Sequence, residues 1–230
     1  MIRNYMMSLL AAGLLMQATA PQAKDADDEA LWDAMQEDLQ PQSVPPGYTF
    51  DFVQPLTRGD EDIRRHVERR IEMRFNRKPG APGKPPLEVG WEGYQYYVFS
   101  TAAAAAKFAL TEPEAVENLK NLYGKEEDME RFDPRAWRTT FAVEVRAANG
   151  TLLKLRCIPA DTLIGCLAWT DKAPAVIHLM LQEPSLRIAH SDAERQAIVE
   201  TRIRAEATGL LAAAQAHLAW ALAKAKWVAR

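Results

Sequence analysis

Between Thr139 and Gln182 the chain changes between apolar and polar residues in short runs, each closed by turn residues, and this pattern constrains the fold most. Thr139–Ala147 alternates with a period of two, Asn149-Gly150 is a two-residue hairpin signal, and Thr151–Ile158 leads back. Pro159-Ala160-Asp161-Thr162 supplies the next turn, Ile164–Thr170 the next strand, and Ala175–Gln182 a fourth. Consecutive strands joined by short turns pair antiparallel. The expected core of the protein is therefore an antiparallel meander of three to five strands packed by several helices, an α+β fold with a long C-terminal helix.

Both cysteines lie in this region. With Ala160–Leu163 as the loop, Pro159 faces Ile164, Ile158 faces Gly165 and Cys157 faces Cys166, close enough for a bridge in a non-hydrogen-bonded pair. Whether they form one depends on compartment. In an oxidising space a disulfide is favoured, and in the cytosol two buried thiols are. Redox or metal chemistry would want tighter spacing or further ligands.

The N-terminus addresses the compartment. Arg3 is followed by an uncharged, mostly apolar run from Met6 to Met16, then by Ala18-Thr19-Ala20 as a small-x-small cleavage site. Residues 1–20 read as a signal peptide, with Pro21 an awkward neighbour for the peptidase. Export to the periplasm follows as an expectation. Loss of Arg3 moves the net charge from −3 to −4, with 27 basic against 31 acidic residues, and gives no reason to expect a nucleic-acid partner.

The rest of the chain is expected to form an N-terminal helix and connector (21–47) and one α+β domain (48–230). Asp28–Leu39 has a four-residue apolar spacing and Tyr48–Val53 reads as a strand. Thr57–Lys78 reads as a charged helix with Ile63, Val67, Ile71 and Phe75 on one line; Arg65 and Arg69 on its basic side are candidates for contact with a partner. Lys78–Gly90 carries four prolines and three glycines, so residues 78–90 are expected to be a long surface loop. Glu92–Leu110 fits a helical stripe through Tyr94, Val98, Ala102 and Ala105. The aromatic cluster opening it offers Trp91, Tyr94 and Tyr97 either as core or as a binding platform.

Thr111-Glu112-Pro113-Glu114 and Ser191-Asp192-Ala193-Glu194 are capping boxes, for a helix to about Tyr123 and for one to about Trp227. Residues 207–223 hold no charged side chain, which raises membrane association, but the run is short and Gln215 and His217 are costly in lipid.

No pattern points to catalysis, a cofactor or a metal. His66, His178, His190 and His217 fall on separate elements without ligand spacing, and no nucleophile elbow or phosphate loop is present. The expected function is binding another protein in the envelope, as an inhibitor, an immunity protein or an accessory subunit. The alternatives are an exported hydrolase whose site is assembled in space around His178 or His190, and a small-ligand or lipid carrier. The sequence does not set the oligomeric state.

Overall fold

A computed structural model describes residues 44–56, 69–78, 92–110, 140–147, 149–160 and 162–228, together with 30, 33 and 37. Among these residues seven strands form one antiparallel sheet: β1 (Tyr48–Leu56), β2 (Arg69–Arg77), β3 (Glu92–Val98), β4 (Phe141–Arg146), β5 (Leu152–Ala160), β6 (Leu163–Trp169) and β7 (Ala175–Gln182). Their spatial order is β1-β2-β3-β7-β6-β5-β4. Two meanders, β1–β3 and β4–β7, therefore meet where β3 pairs with β7. Helix α1 (Ala102–Leu110) lies between the meanders in sequence, and α2 (Asp192–Glu206) and α3 (Leu210–Val228) end the chain. The fold is α+β, with a larger sheet than the three to five strands expected.

The difference comes from two segments expected to be helical. Arg69–Arg77 is strand β2, and Glu92–Val98 is strand β3; helix begins only at Ala102. A four-residue spacing suits both structures, since four is a multiple of the strand period and close to one helical turn. Ile71 and Phe75 share a face either way. Met73 decides the matter for β2, and Tyr96 does so for β3: each fills the intervening position on the same face of a strand and is buried there. Thr101 then caps α1, its hydroxyl accepting from the Ala104 amide at 3.1 Å.

The single long C-terminal helix is also two helices. Residues 207–209 form a turn at Ala207-Thr208-Gly209, and the Glu206 carboxylate accepts from the Leu210 amide at 3.2 Å, which caps α3. At the start of α2, Ser191 accepts from the Glu194 amide, while Glu194 reaches back to the amide of His190, one residue before the cap. The predicted helix at Asp28–Leu39 lies outside the described residues except for Ala30, Asp33 and Glu37, which are helical and exposed. Residues 1–20 and the helix from Thr111 lie wholly outside them, and so does the loop at 78–90 except for Lys78.

Side chains alternate across the sheet. One face carries Ile71, Met73, Phe75, Tyr94, Tyr96, Leu155 and Leu179, and it is covered by Val199 and Ile203 of α2 and by Leu210, Leu211, Ala214 and Ala221 of α3. The other carries Tyr97, Ile158, Leu167, Trp169 and Val176 under Ala105, Phe108 and Ala109 of α1. Gly93 keeps β2 and β3 close at one point: a Cβ there would stand 2.7 Å from the Met73 carbonyl oxygen.

The β5–β6 hairpin has the expected register. Cys157 opposes Cys166, Ile158 opposes Gly165 and Pro159 opposes Ile164, and pairing continues to Ala160 and Leu163, so the turn is tighter than expected. Cys157 and Cys166 form a disulfide, and both are fully buried on the face beneath the C-terminal helices. Closing a loop of this size contributes about 2–3 kcal/mol in the chain-entropy picture. At the β4–β5 end Gly150 takes a positive φ of 80°. There its lack of a Cβ matters, and the Arg146 guanidinium donates to its carbonyl.

Candidate functional site

Among the described residues the fold builds three groups of polar side chains, and the first is wholly internal. Glu92 opens β3 in an otherwise aromatic strand and is completely buried. Its Oε1 accepts from Arg202 Nη2 at 2.7 Å and from the Gln182 amide at 3.1 Å; its Oε2 accepts from the Tyr48 hydroxyl at 2.6 Å. Arg77, at the end of β2, stands 3.6 Å from the same Oε1. Arg202 also donates to Glu206, one helical turn on, and its Nε lies 3.6 Å from Glu183 Oε2. Arg77 and Arg202 balance Glu92 and Glu206, as a buried group of charges must be balanced. Burial, and next the Glu92 carboxylate, push the Tyr48 phenol above its ordinary range, so it remains a donor. The group ties β1, β2, β3 and β7 to α2 and to the start of α3. Glu92, Arg202, Tyr48 and Glu206 are joined by hydrogen bonds, and Arg77 and Glu183 join them as charges at 3.6 Å, which makes the group a fastening of the fold.

The second group lies on the opposite face. Ladder pairing sets Glu72, Gln95, His178, Leu167, Arg156 and Ala142 in one row across β2, β3, β7, β6, β5 and β4. Gln95 Oε1 accepts from Arg70 Nη2 at 2.8 Å and from the Tyr97 hydroxyl at 2.8 Å. Arg70 lies over the Tyr97 ring and Arg74 over the Phe52 ring, at 5.4 and 4.7 Å from the centroids. His178 is buried beside Tyr97. Burial, reinforced by the Arg70 charge, lowers its pKa to about 3. It is a neutral imidazole throughout the physiological range. A base this weak is poorly matched to general base catalysis near pH 7. His190, the other histidine considered for catalysis, is exposed before α2.

The third group continues that face outward over β4 and β5. Glu144 and Arg146 are exposed, and Lys154 and Arg156 are half-buried. Lys154 Nζ bonds the Asp171 carboxylate at 2.8 Å. Helix α1 packs on β6 and β7. The signs alternate here, with Glu144 and Asp171 among Arg146, Lys154 and Arg156.

The predicted site residues disperse. Arg65 and Trp91 lie outside the described residues, and Arg69 is the first residue of β2. Tyr94 and Tyr97 are inside the protein, fully buried, on opposite faces of the sheet. Tyr94 hydrogen-bonds His217 Nδ1 at 2.5 Å, and Tyr96 donates to the Ala214 carbonyl. Sequence reasoning missed Glu92, Arg202 and Tyr48. The available signal was a carboxylate placed among the aromatic residues of β3, facing the same side as Tyr94 and Tyr96.

Among the described residues no three His, Cys, Asp or Glu side chains stand where they could hold a metal ion, and no helix is long and apolar enough to cross a membrane. Compared with family models, with curated proteins and with solved structures, the chain matches none of them.

Proposed function

We propose that the protein is exported to an oxidising compartment, the periplasm, and acts there without catalysis by binding another protein through the outer half of the sheet formed by β4 and β5. The observation that carries this reading is the division of polar groups in the fold. The buried carboxylates and guanidiniums near Glu92 fasten elements together, and the buried His178 is neutral. The exposed charges of β4 and the half-buried ones of β5 are mixed in sign, with Glu144 next to Arg146 across one position. A polyanion such as nucleic acid or a lipid surface selects a single sign; mixed charge suits the complementary pattern of a protein surface. The buried disulfide supports the oxidising address.

A photo-crosslinking residue at position 144 tests this, with one at the exposed position 197 on α2 as control. One protein should be captured from periplasmic extract at position 144 and not at 197. Charge reversal by Arg146→Glu with Arg156→Glu should cut capture at least about tenfold, as loss of two complementary charges does. Equal capture at both positions, or none at 144, contradicts the proposal.

A further inference from the structure

We infer that α3 is held on the sheet by an acid-sensitive latch, His217 against Tyr94, which loosens the helix as the surroundings become acidic. The inference is independent of the partner proposed above. His217 is buried on the inner side of α3, tilted over the Tyr94 ring with centroids 6.1 Å apart. Its Nδ1 shares a 2.5 Å hydrogen bond with the Tyr94 hydroxyl, and its Nε2 is buried without an acceptor among the described residues. We assign to the neutral ring the tautomer in which Nδ1 accepts from Tyr94 and Nε2 carries the hydrogen.

Protonation reverses that bond. Nδ1–H must then donate to the Tyr94 oxygen, and Tyr94 must turn its own hydrogen toward Tyr96, whose hydroxyl already donates to the Ala214 carbonyl. The new charge meets no carboxylate among the described residues. From β3 the titratable groups facing α3 are Tyr94 and Tyr96; from β2 the inward residues Ile71, Met73 and Phe75 are apolar, as are Ile177, Leu179 and Leu181 of β7. Arg77 at the end of β2, Glu92 at the start of β3 and Arg202 and Glu206 of α2 are bound together near Leu210, with Glu183 and Tyr48. That is two helical turns from His217, about 10 Å along the axis. On α3 itself, Lys224 lies over the Trp220 ring. Burial accordingly lowers the His217 pKa.

The sign follows from linkage. When α3 lifts, His217 enters water and recovers a pKa near 6.5. The lifted state therefore binds the proton first, and lifting gains as pH falls below that value, by at most about tenfold per pH unit, until the docked pKa is reached.

Hydrogen exchange on the full oxidised chain reads this directly. Between pH 7.5 and 5.5, after correction for intrinsic exchange, protection of 211–222 should fall relative to 195–205 in α2, by at most about tenfold. The comparison with α2 removes any global loss caused by His178 on the other face. His217→Gln should abolish the relative fall, and Tyr94→Phe should keep it while lowering protection at both pH values. An unchanged α3-to-α2 ratio in the wild type, or the same fall in His217→Gln, overturns the inference. If His217→Gln does not fold, the NMR titration of the His217 ring decides: a midpoint below 6.5 is expected, and one at or above it refutes the latch.

Discussion

Replacing Glu92 with alanine should lower the stability of the protein by about 3–5 kcal/mol, more than any other single change considered. The carboxylate is completely buried and has three hydrogen-bond donors: Arg202, Tyr48 and the Gln182 amide. Its removal takes from Arg77 the carboxylate it stands against, leaves Arg202 with Glu206 and Glu183, and strips the Tyr48 hydroxyl and the Gln182 amide of their bonds to Glu92. Arg77 contributes charge to this group without a hydrogen bond to Glu92, since it stands at 3.6 Å. Arg77→Met alone should also cost stability, because it leaves Arg202 as the one guanidinium against Glu92 and Glu206 in this group. In the Glu92→Ala background the same Arg77→Met change should restore part of the loss, about 1–2 kcal/mol, by removing the uncompensated charge. Urea unfolding of the four proteins measures this coupling. Additive effects would show that the two side chains do not interact.

Acid should weaken the fold before its carboxylates begin to titrate. His178 has a folded pKa of about 3 against about 6.5 in the unfolded chain. Between those values the unfolded state binds the extra proton. The stabilisation is complete above pH 6.5, is lost as pH falls, and ceases to change below about 3. Each pH unit within the window costs about 1.4 kcal/mol, so roughly 3 kcal/mol should be gone by pH 4. His217 adds loss of the same sign below pH 6.5. Denaturant midpoints between pH 7 and 4 should show a slope of more than one proton in the wild type, reduced by one proton in His178→Gln. A flat wild-type profile, or an equal slope in the variant, would place His178 in water.

The meander from β4 to β7 was legible in the sequence because turn residues mark its ends and its apolar residues alternate without interruption. The pairing of Cys157 with Cys166 followed from counting back from one turn. The other half of the sheet was hidden by periodicity. In β2 the outward positions Arg70, Glu72 and Arg74 are charged, which resembles a solvated helix. They lie instead on the second face of a sheet, where Arg70 stacks on Tyr97 and Arg74 on Phe52. In β3 the alanines after Thr101 extended a helical stripe backward into a strand whose Tyr94, Tyr96, Tyr97 and Val98 favour extended backbone. The break at Gly209 carried a local signal in Thr208-Gly209, but the cap that makes it stable is the side chain of Glu206, already engaged with Arg202. Groups such as Glu92, Arg202 and Tyr48 are joined only by the order of strands, and no local pattern in a single chain reveals that order. Tyr94 and Tyr97 illustrate the same limit: an aromatic cluster is equally suited to core and to interface, and here the sheet takes both rings inside.

The most direct test of the account is the intact mass of the protein recovered from cells expressing the full-length gene, after fractionation and alkylation without reductant. The account predicts a periplasmic chain lacking about its first twenty residues, two hydrogens lighter than the dithiol, and unalkylated until it is both unfolded and reduced. A cytosolic chain that retains Met1 and Arg3 and takes up two alkyl groups on unfolding alone would contradict it.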